Sequence, residues 1–170
     1  NGTIRSHGGA GGAGGDGFGS GDSAGGTGPA AGTNGKILQV VSTTVNSKSS
    51  YSIGNNSYST VSGLSAAITP SSSSNKVYVL CVTSVEVSSG YTSYYTLYRN
   101  DTTNLGTSGD GLTKTQVGGS AIPGSMGILD SPSSTSAVEY QLYAKSSNSS
   151  GHAYVGKGVK QTITAFEIEG

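Results

Sequence analysis

The chain has no tryptophan, and its 170 residues include only one cysteine and one methionine. One cysteine cannot form an intrachain disulfide. Cys81 lies in an apolar stretch, which predicts a small buried hydrophobic side chain rather than a reactive thiol. No apolar run approaches the roughly 20 residues that a membrane-spanning helix requires. We therefore expect no membrane insertion.

Charge is also scarce. Charged residues make up 11% of the chain, and nine basic residues balance nine acidic ones. The only arginines are Arg5 and Arg99. Proteins that bind nucleic acid or anionic lipid usually carry a concentrated basic surface. We therefore expect neither kind of partner.

Glycine is abundant at one end of the chain, where residues 8–35 consist mostly of Gly, Ala, Ser and Thr. Side chains this small cannot build a core. Collagen is a poor interpretation because Phe18 interrupts the triplet spacing of the glycines. We predict an extended Gly-rich stalk or assembly segment over 1–35 and one folded domain over 36–170, with Gly permitting close packing of backbones between subunits.

The folded domain has the alternating pattern of β-strands and no helical periodicity. Ser, Gly and Asn turns separate nine predicted strands: 37–45, 61–69, 75–87, 94–99, 102–105, 121–129, 137–145, 152–155 and 161–168. Pro123, Gly124 and Gly127 weaken the sixth. The pattern predicts an all-β, antiparallel β-sandwich of eight or nine strands, resembling a jelly roll.

The strand over 75–87 is the predicted centre of this sandwich. Its odd positions from Val77 to Val87 are mostly apolar and share one face, whereas Tyr78, Leu80 and Val82 lie on the other. A strand that is apolar on both faces needs cover on both. We expect that cover to come from a second sheet and from a neighbouring subunit in a homotrimer.

Motifs for catalysis or metal binding are absent or accidental. The segment 151–157 matches G-x-x-x-x-G-K, but it contains a predicted strand, whereas a phosphate-binding loop must open a helix. His7 and His152 are the only histidines and are far apart in the sequence. We predict no catalytic residues, no metal site, no cofactor and no enzymatic activity.

Binding residues are predicted in the loops 88–94, 104–119 and 146–151, which are rich in Tyr, Ser, Asn, Thr and Gly. Tyrosine offers a flat apolar face with little rotamer entropy to lose, and the small polar residues offer adaptable hydrogen bonds. The predicted binding residues are Tyr91, Tyr94, Asn104 and Asn148. The alternative is that these are ordinary polar loops.

Several sequence segments of the domain resemble those of a known protein family. They are GKILQVV (35–41), GLSAAITPSSSSNKVYVL (63–80), YTLYRN (95–100), LDSP (129–132) and YQLYAKSSNSSG (140–151). These resemble the distal β-domain of tail-fibre and other fibre-like structural proteins of bacteriophages, especially marine ones. The resemblance spans most of residues 35–170 and consists of segments that are predicted to form strands and turns.

The resemblance implies a homotrimeric appendage of the virion that contacts other virion subunits and binds a glycan or protein on the host surface. The alternative is a purely structural subunit, as a capsid decoration or a filament on a bacterial cell surface, assembled through the Gly-rich segment.

Overall fold

A computed structural model describes residues 35–46 and 51–170, so nearly all of the predicted Gly-rich segment lies outside the described residues. The described residues form eleven strands: β1 (Ile37–Val45), β2 (Tyr51–Ile53), β3 (Ser59–Ile68), β4 (Lys76–Val87), β5 (Ser93–Arg99), β6 (Thr103–Asn104), β7 (Thr113–Thr115), β8 (Ile122–Asp130), β9 (Val138–Ser146), β10 (Ala153–Val155) and β11 (Gln161–Ile168). In this part of the chain there is no helix. Consequently, none of the described segments is a helix long and apolar enough to cross a membrane.

The strands form two antiparallel sheets, which confirms the predicted β-sandwich. The first sheet has the order β1-β11-β4-β10-β2, with β8 also paired to β4. The second has the order β3-β9-β5-β6, with β7 also paired to β5. Alternating side chains of both sheets point inward, as a sandwich requires.

Strand β4 is central to the first sheet, as predicted. Its residue Val85 pairs with Val155 of β10 and with Ile122 of β8, so these two strands lie on opposite sides of it. Strand β11 pairs with the first half of β4. The inward face of β4 is fully buried, because Val77, Val79 and Cys81 have no exposed surface.

The core between the sheets is built from aliphatic side chains and two large tyrosines. Leu64, Leu97, Leu142 and Ile163 are among its fully buried members. Tyr95 is also fully buried, and the carbonyl oxygens of Glu86 (2.9 Å) and Tyr154 (3.2 Å) in the opposite sheet are the acceptors within reach of its single hydroxyl proton. These acceptors satisfy the polar end of a large side chain within an apolar layer.

Two short strands are not apparent from the sequence pattern. Strand β2 lies in a predicted polar loop, and β7 lies in a Gly-rich loop. Each has three residues and pairs with a single strand, β2 with the equally short β10 and β7 with the longer β5. Segments this short have too few residues to display a period of two, so neighbouring strands determine their conformation.

The outward face of the first sheet has no cover from the described residues around the first half of β4, whereas Ser84 and Glu86 in the second half of that strand are buried. Register places Val40, Phe166, Tyr78 and Leu129 side by side across four strands. Val40, Tyr78 and Leu129 are 54%, 37% and 49% exposed, and Val82 on the same face is 46% exposed. We call this surface the bare face. Over the first half of β4, the second cover expected for the strand is therefore not supplied by the described residues.

Candidate functional site

The outward face of the second sheet carries aromatic side chains where a solvent-facing sheet usually has polar ones. Strands β5 and β9 pair so that Tyr94 lies opposite Lys145 and Thr96 lies opposite Tyr143. Tyr98 follows on the same face of β5, because side chains alternate along a strand. Three tyrosines and a lysine therefore lie together on the outside of the sheet.

A fourth tyrosine completes this group from the loop before β3. The rings of Tyr98 and Tyr143 stack with centroids 4.1 Å apart, and the Tyr58 ring lies 6.2 Å from that of Tyr98. Tyr143 is nearly buried beneath its neighbours, whereas the other three tyrosines are partly exposed. We call Tyr58, Tyr94, Tyr98, Tyr143 and Lys145 the tyrosine platform.

Lys145 lies between two of these rings. Its ammonium is 4.6 Å from the ring centroid of Tyr58 and 5.0 Å from that of Tyr94, within the range of cation–π attraction. The described residues form three ion pairs, and Lys145 takes part in none of them.

A cavity of about 250 Å³ opens beside this lysine. We call it the Lys145 pocket, and it is lined by Asn56, Tyr94, Gly109, Asp110, Lys145, Ser146 and Ser147. Its volume is just below the roughly 300–1,000 Å³ of typical small-molecule sites, so it suits one sugar-sized group. The lining combines one aromatic ring with amide, hydroxyl and charged groups.

The loops around the pocket are fixed by hydrogen bonds between them. The backbone of Thr92 accepts from Ser147 N (2.7 Å), and its own N–H donates to Ser147 Oγ (3.1 Å). The Gln116 amide donates to Thr92 Oγ1 (3.1 Å). The three loops in which binding residues were predicted therefore meet at one end of the second sheet.

Two of the platform hydroxyls, those of Tyr58 and Tyr143, remain protonated at neutral pH. Burial, followed by the neighbouring Tyr98 and Asp110, raises the pKa of Tyr58 to about 12. Burial and the hydrogen bond that Tyr143 donates to Asp101 (2.8 Å) raise the pKa of Tyr143 to about 12. The side chains of Tyr58 and Tyr143 are therefore neutral, and they offer apolar ring faces rather than phenolate charge.

The four predicted binding residues have different positions. Tyr94 lines the Lys145 pocket and belongs to the platform. Tyr91 does not line it; its half-buried ring lies against Gly151, where an added Cβ would be 2.5 Å from the ring carbon Cγ. Tyr91 therefore packs one loop against another.

The two asparagines mainly shape their own loops. Asn104 Oδ1 accepts from Thr96 Oγ1 (2.6 Å) and Gly106 N (2.9 Å), and its amide donates to Thr107 O (3.2 Å). Asn148 Oδ1 accepts from Ser150 N (2.9 Å) within a turn. Asn148 is exposed next to Ser147 of the pocket, whereas the hydrogen-bonding groups of Asn104 are occupied internally.

Metal-ligating side chains do not cluster anywhere in residues 35–46 and 51–170. His152, the histidine in this part of the chain, shares a hydrogen bond with Ser52 Oγ through Nδ1 (2.9 Å). The segment 151–157 that matches a phosphate-binding loop contains β10, and its Lys157 pairs with Glu86 at 2.9 Å.

No protein-family model matches the chain, and no curated protein matches it. The chemistry of the tyrosine platform is therefore the main guide to function.

Sequence reasoning missed Tyr58, Tyr98, Tyr143 and Lys145. A signal was present for three of them, since Tyr98 shares the outward face of β5 with Tyr94, and Tyr143 and Lys145 share the outward face of β9. Aromatic residues on the solvent side of two strands indicate a binding surface more specifically than tyrosines in loops. Tyr58 had no such signal, because only the fold brings its loop over β5.

Proposed function

We propose that the chain is a structural protein of a bacteriophage fibre or similar virion appendage that attaches the particle to its host by binding surface glycan. The observation that carries this proposal is the tyrosine platform with its adjoining pocket. The sequence resemblance to phage fibre domains supports the same assignment. No catalytic step is part of the proposal.

Glycan suits this surface for a chemical reason. One face of a sugar ring presents C–H groups that pack on an aromatic ring, while its hydroxyls need several hydrogen-bonding partners. Tyr94 provides the ring at the Lys145 pocket, and Asn56 and Ser147 provide polar groups. Recognition by rigid tyrosines together with small polar residues is also common in antibody loops.

The bare face supports assembly of the chain with copies of itself. Monomeric soluble proteins rarely expose contiguous apolar patches larger than a few hundred Å². The row Val40, Phe166, Tyr78 and Leu129 carries no charge, so identical faces can approach each other without repulsion between like charges. We propose a homotrimer in which this face packs around the axis.

A purely structural fibre or filament subunit is the second candidate function. The bare face favours it, because such a face supports assembly whether or not a receptor is bound. A capsid decoration or a bacterial surface filament would need no glycan binding at the tyrosine platform.

Binding of the chain to envelope polysaccharide purified from the host would test the proposal. Tyr94→Ala should weaken binding about 10-fold or more. Stacking of a flat group on an aromatic side chain is worth about 1–3 kcal/mol in the case of nucleic-acid bases, and about 1.4 kcal/mol corresponds to a factor of ten in affinity. Tyr58→Ala should weaken it as well, since Tyr58 holds Lys145 from the other side.

Tyr154→Ala is the matched control. Tyr154 also has a lysine over its ring, Lys157 at 5.8 Å, but it lies in the first sheet. The Tyr154→Ala variant should bind host polysaccharide like the parent chain. Undiminished binding by folded Tyr94→Ala and Tyr58→Ala would exclude the platform as the receptor site, and no binding by the parent chain would favour the purely structural subunit.

A further inference from the structure

The charge in the Lys145 pocket indicates which glycans would bind. Two charged side chains line the pocket, Lys145 and Asp110. Asp110 Oδ2 accepts a hydrogen bond from Lys114 Nζ at 2.8 Å, so its negative charge already has a positive partner. Lys145 has no such partner among the described residues. The charges of the two lining residues sum to zero, and counting Lys114 beside Asp110 leaves Lys145 as the positive charge without a partner among the described residues.

The ammonium of Lys145 is held in place by the two rings, but its N–H donors make no hydrogen bond to described residues. The two aromatic rings attract it from 4.6 and 5.0 Å through their faces, which have no lone pair directed at the N–H groups. No hydrogen bond joins Lys145 Nζ to any residue in the described part of the chain. An ammonium has three donors, so all of them are open to a ligand.

We propose that the Lys145 pocket selects acidic sugars, with the carboxylate of a uronic acid or a similar sugar acid paired to Lys145. This inference rests on the proposed glycan-binding function and deepens it. The sugar ring lies against Tyr94, the carboxylate accepts from Lys145, and hydroxyls bond Asn56 and Ser147. A hydrogen bond between two charged groups is stronger than one between neutral groups, so the acid is preferred over its neutral counterpart.

The preference should appear in a direct comparison of glucuronate with glucose. The two sugars differ only at C6, which is a carboxylate in glucuronate and a hydroxymethyl group in glucose. Titration of the parent chain followed by NMR should give about 5- to 10-fold tighter binding of glucuronate at low ionic strength. The advantage should shrink as salt is raised from about 50 to 500 mM, because salt screens a partly exposed charge pair. Glucose binding should change little.

Lys145→Gln removes the charge while keeping a long polar side chain. It should lower the ratio of glucuronate affinity to glucose affinity from about 5–10 to about 1, because Gln offers the same neutral hydrogen bonds to both sugars. Lys160→Gln is the matched control, since Lys160 is exposed between β10 and β11, away from the platform. It should keep the preference for glucuronate.

The outcomes separate this inference from the proposed function. Equal binding of the two sugars, or a preference that survives Lys145→Gln, would overturn acidic-sugar selection while leaving glycan binding intact. Failure of both sugars and of host polysaccharide to bind would overturn both. If host polysaccharide binds the parent chain, it should bind less well after chemical reduction of its carboxylates to alcohols, and unchanged binding would also contradict the selection.

Discussion

At the scale of single residues, Glu167 is a buried carboxylate that accepts four hydrogen bonds from described residues. It is 1% exposed on β11. Its Oε1 accepts from Asn75 Nδ2 (2.6 Å), Ser71 N (2.6 Å) and Ser71 Oγ (2.8 Å), and its Oε2 accepts from Gln39 Nε2 (2.7 Å). One carboxylate thus joins β1, β11 and the turn before β4.

These bonds determine how Glu167 responds to pH. Burial by itself would raise the pKa of Glu167, but the hydrogen bonds from Asn75, Gln39 and Ser71 lower it to about 2. A group whose pKa is lowered by folding stabilises the folded state above its unfolded pKa, and that contribution is lost as the pH falls toward the folded value.

We therefore expect the free energy of unfolding to fall between about pH 4.5 and pH 2, with Glu167 as a major contributor. Glu167→Gln should cost about 1–3 kcal/mol at pH 7, because it replaces a charged acceptor and sets an amide against several buried donors. Urea unfolding at pH 7 and pH 3 would measure both effects.

Glu169→Gln is the control for this experiment, since Glu169 is exposed two residues further along the chain. Its variant should unfold like the parent at both pH values. A Glu167→Gln variant with the same stability as the parent at pH 7 would contradict the assigned role.

At the scale of strands and loops, register decides where the platform residues lie. The pairing of Tyr94 with Lys145 and of Thr96 with Tyr143 places tyrosines on the outward face, while Tyr95 and Leu97 enter the core. A slip of one residue would exchange these faces. The large apolar side chains of the core therefore also fix the position of the platform.

The loop between β6 and β7 supports Tyr58 through Gly111. This glycine has a φ of +70°, and an added Cβ would lie 2.5 Å from Tyr95 O and 2.6 Å from Tyr58 Oη. Only glycine adopts such a conformation without strain, and backbone strain of this kind costs about 1–3 kcal/mol.

We expect Gly111→Ala to destabilise the domain by about 1–3 kcal/mol and to weaken glycan binding, because the methyl group displaces Tyr58. Thermal unfolding and binding to host polysaccharide would be measured together. Gly109→Ala is the control for stability alone, because Gly109 itself lines the Lys145 pocket: nothing lies within 4 Å of its added Cβ, and it should change stability by less than about 0.5 kcal/mol. Equal losses of stability in the two variants would argue against a specific role for Gly111.

At the scale of the whole molecule, the two outward faces differ in kind. The second sheet carries tyrosines with polar loops and a pocket, whereas the bare face of the first sheet carries Val40, Tyr78, Val82 and Leu129. In the proposed homotrimer, the bare face is buried and the tyrosine platform remains accessible. Three copies of the platform would then give a multivalent attachment surface.

We expect light scattering to find trimers of the parent chain at micromolar concentration and monomers of Tyr78→Lys, because a charge placed mid-row would be buried without a partner. Val117→Lys is the control, since Val117 is 47% exposed but lies outside the strands of the bare face. The Val117→Lys variant should remain trimeric. A stable monomer of the parent chain would reject the homotrimer.

The sequence by itself determined the class of fold. Alternation located the main strands, and the two-sided apolar character of 75–87 identified β4 as central, because a period of two is a local property of the chain. The low and balanced charge could also be determined from the sequence without a structure. The exposure of the outward face along the first half of β4 was not, since cover depends on what packs against each face.

Only the tertiary structure decided which residues form the candidate site. Tyr94 was found from its loop composition, but Tyr58, Tyr143 and Lys145 join it through the register of β9 and the path of the loop before β3. The roles of Asn104 and Glu167 likewise depend on partners distant in sequence. Convergence of this kind is a property of long-range packing, which local patterns along a chain do not encode.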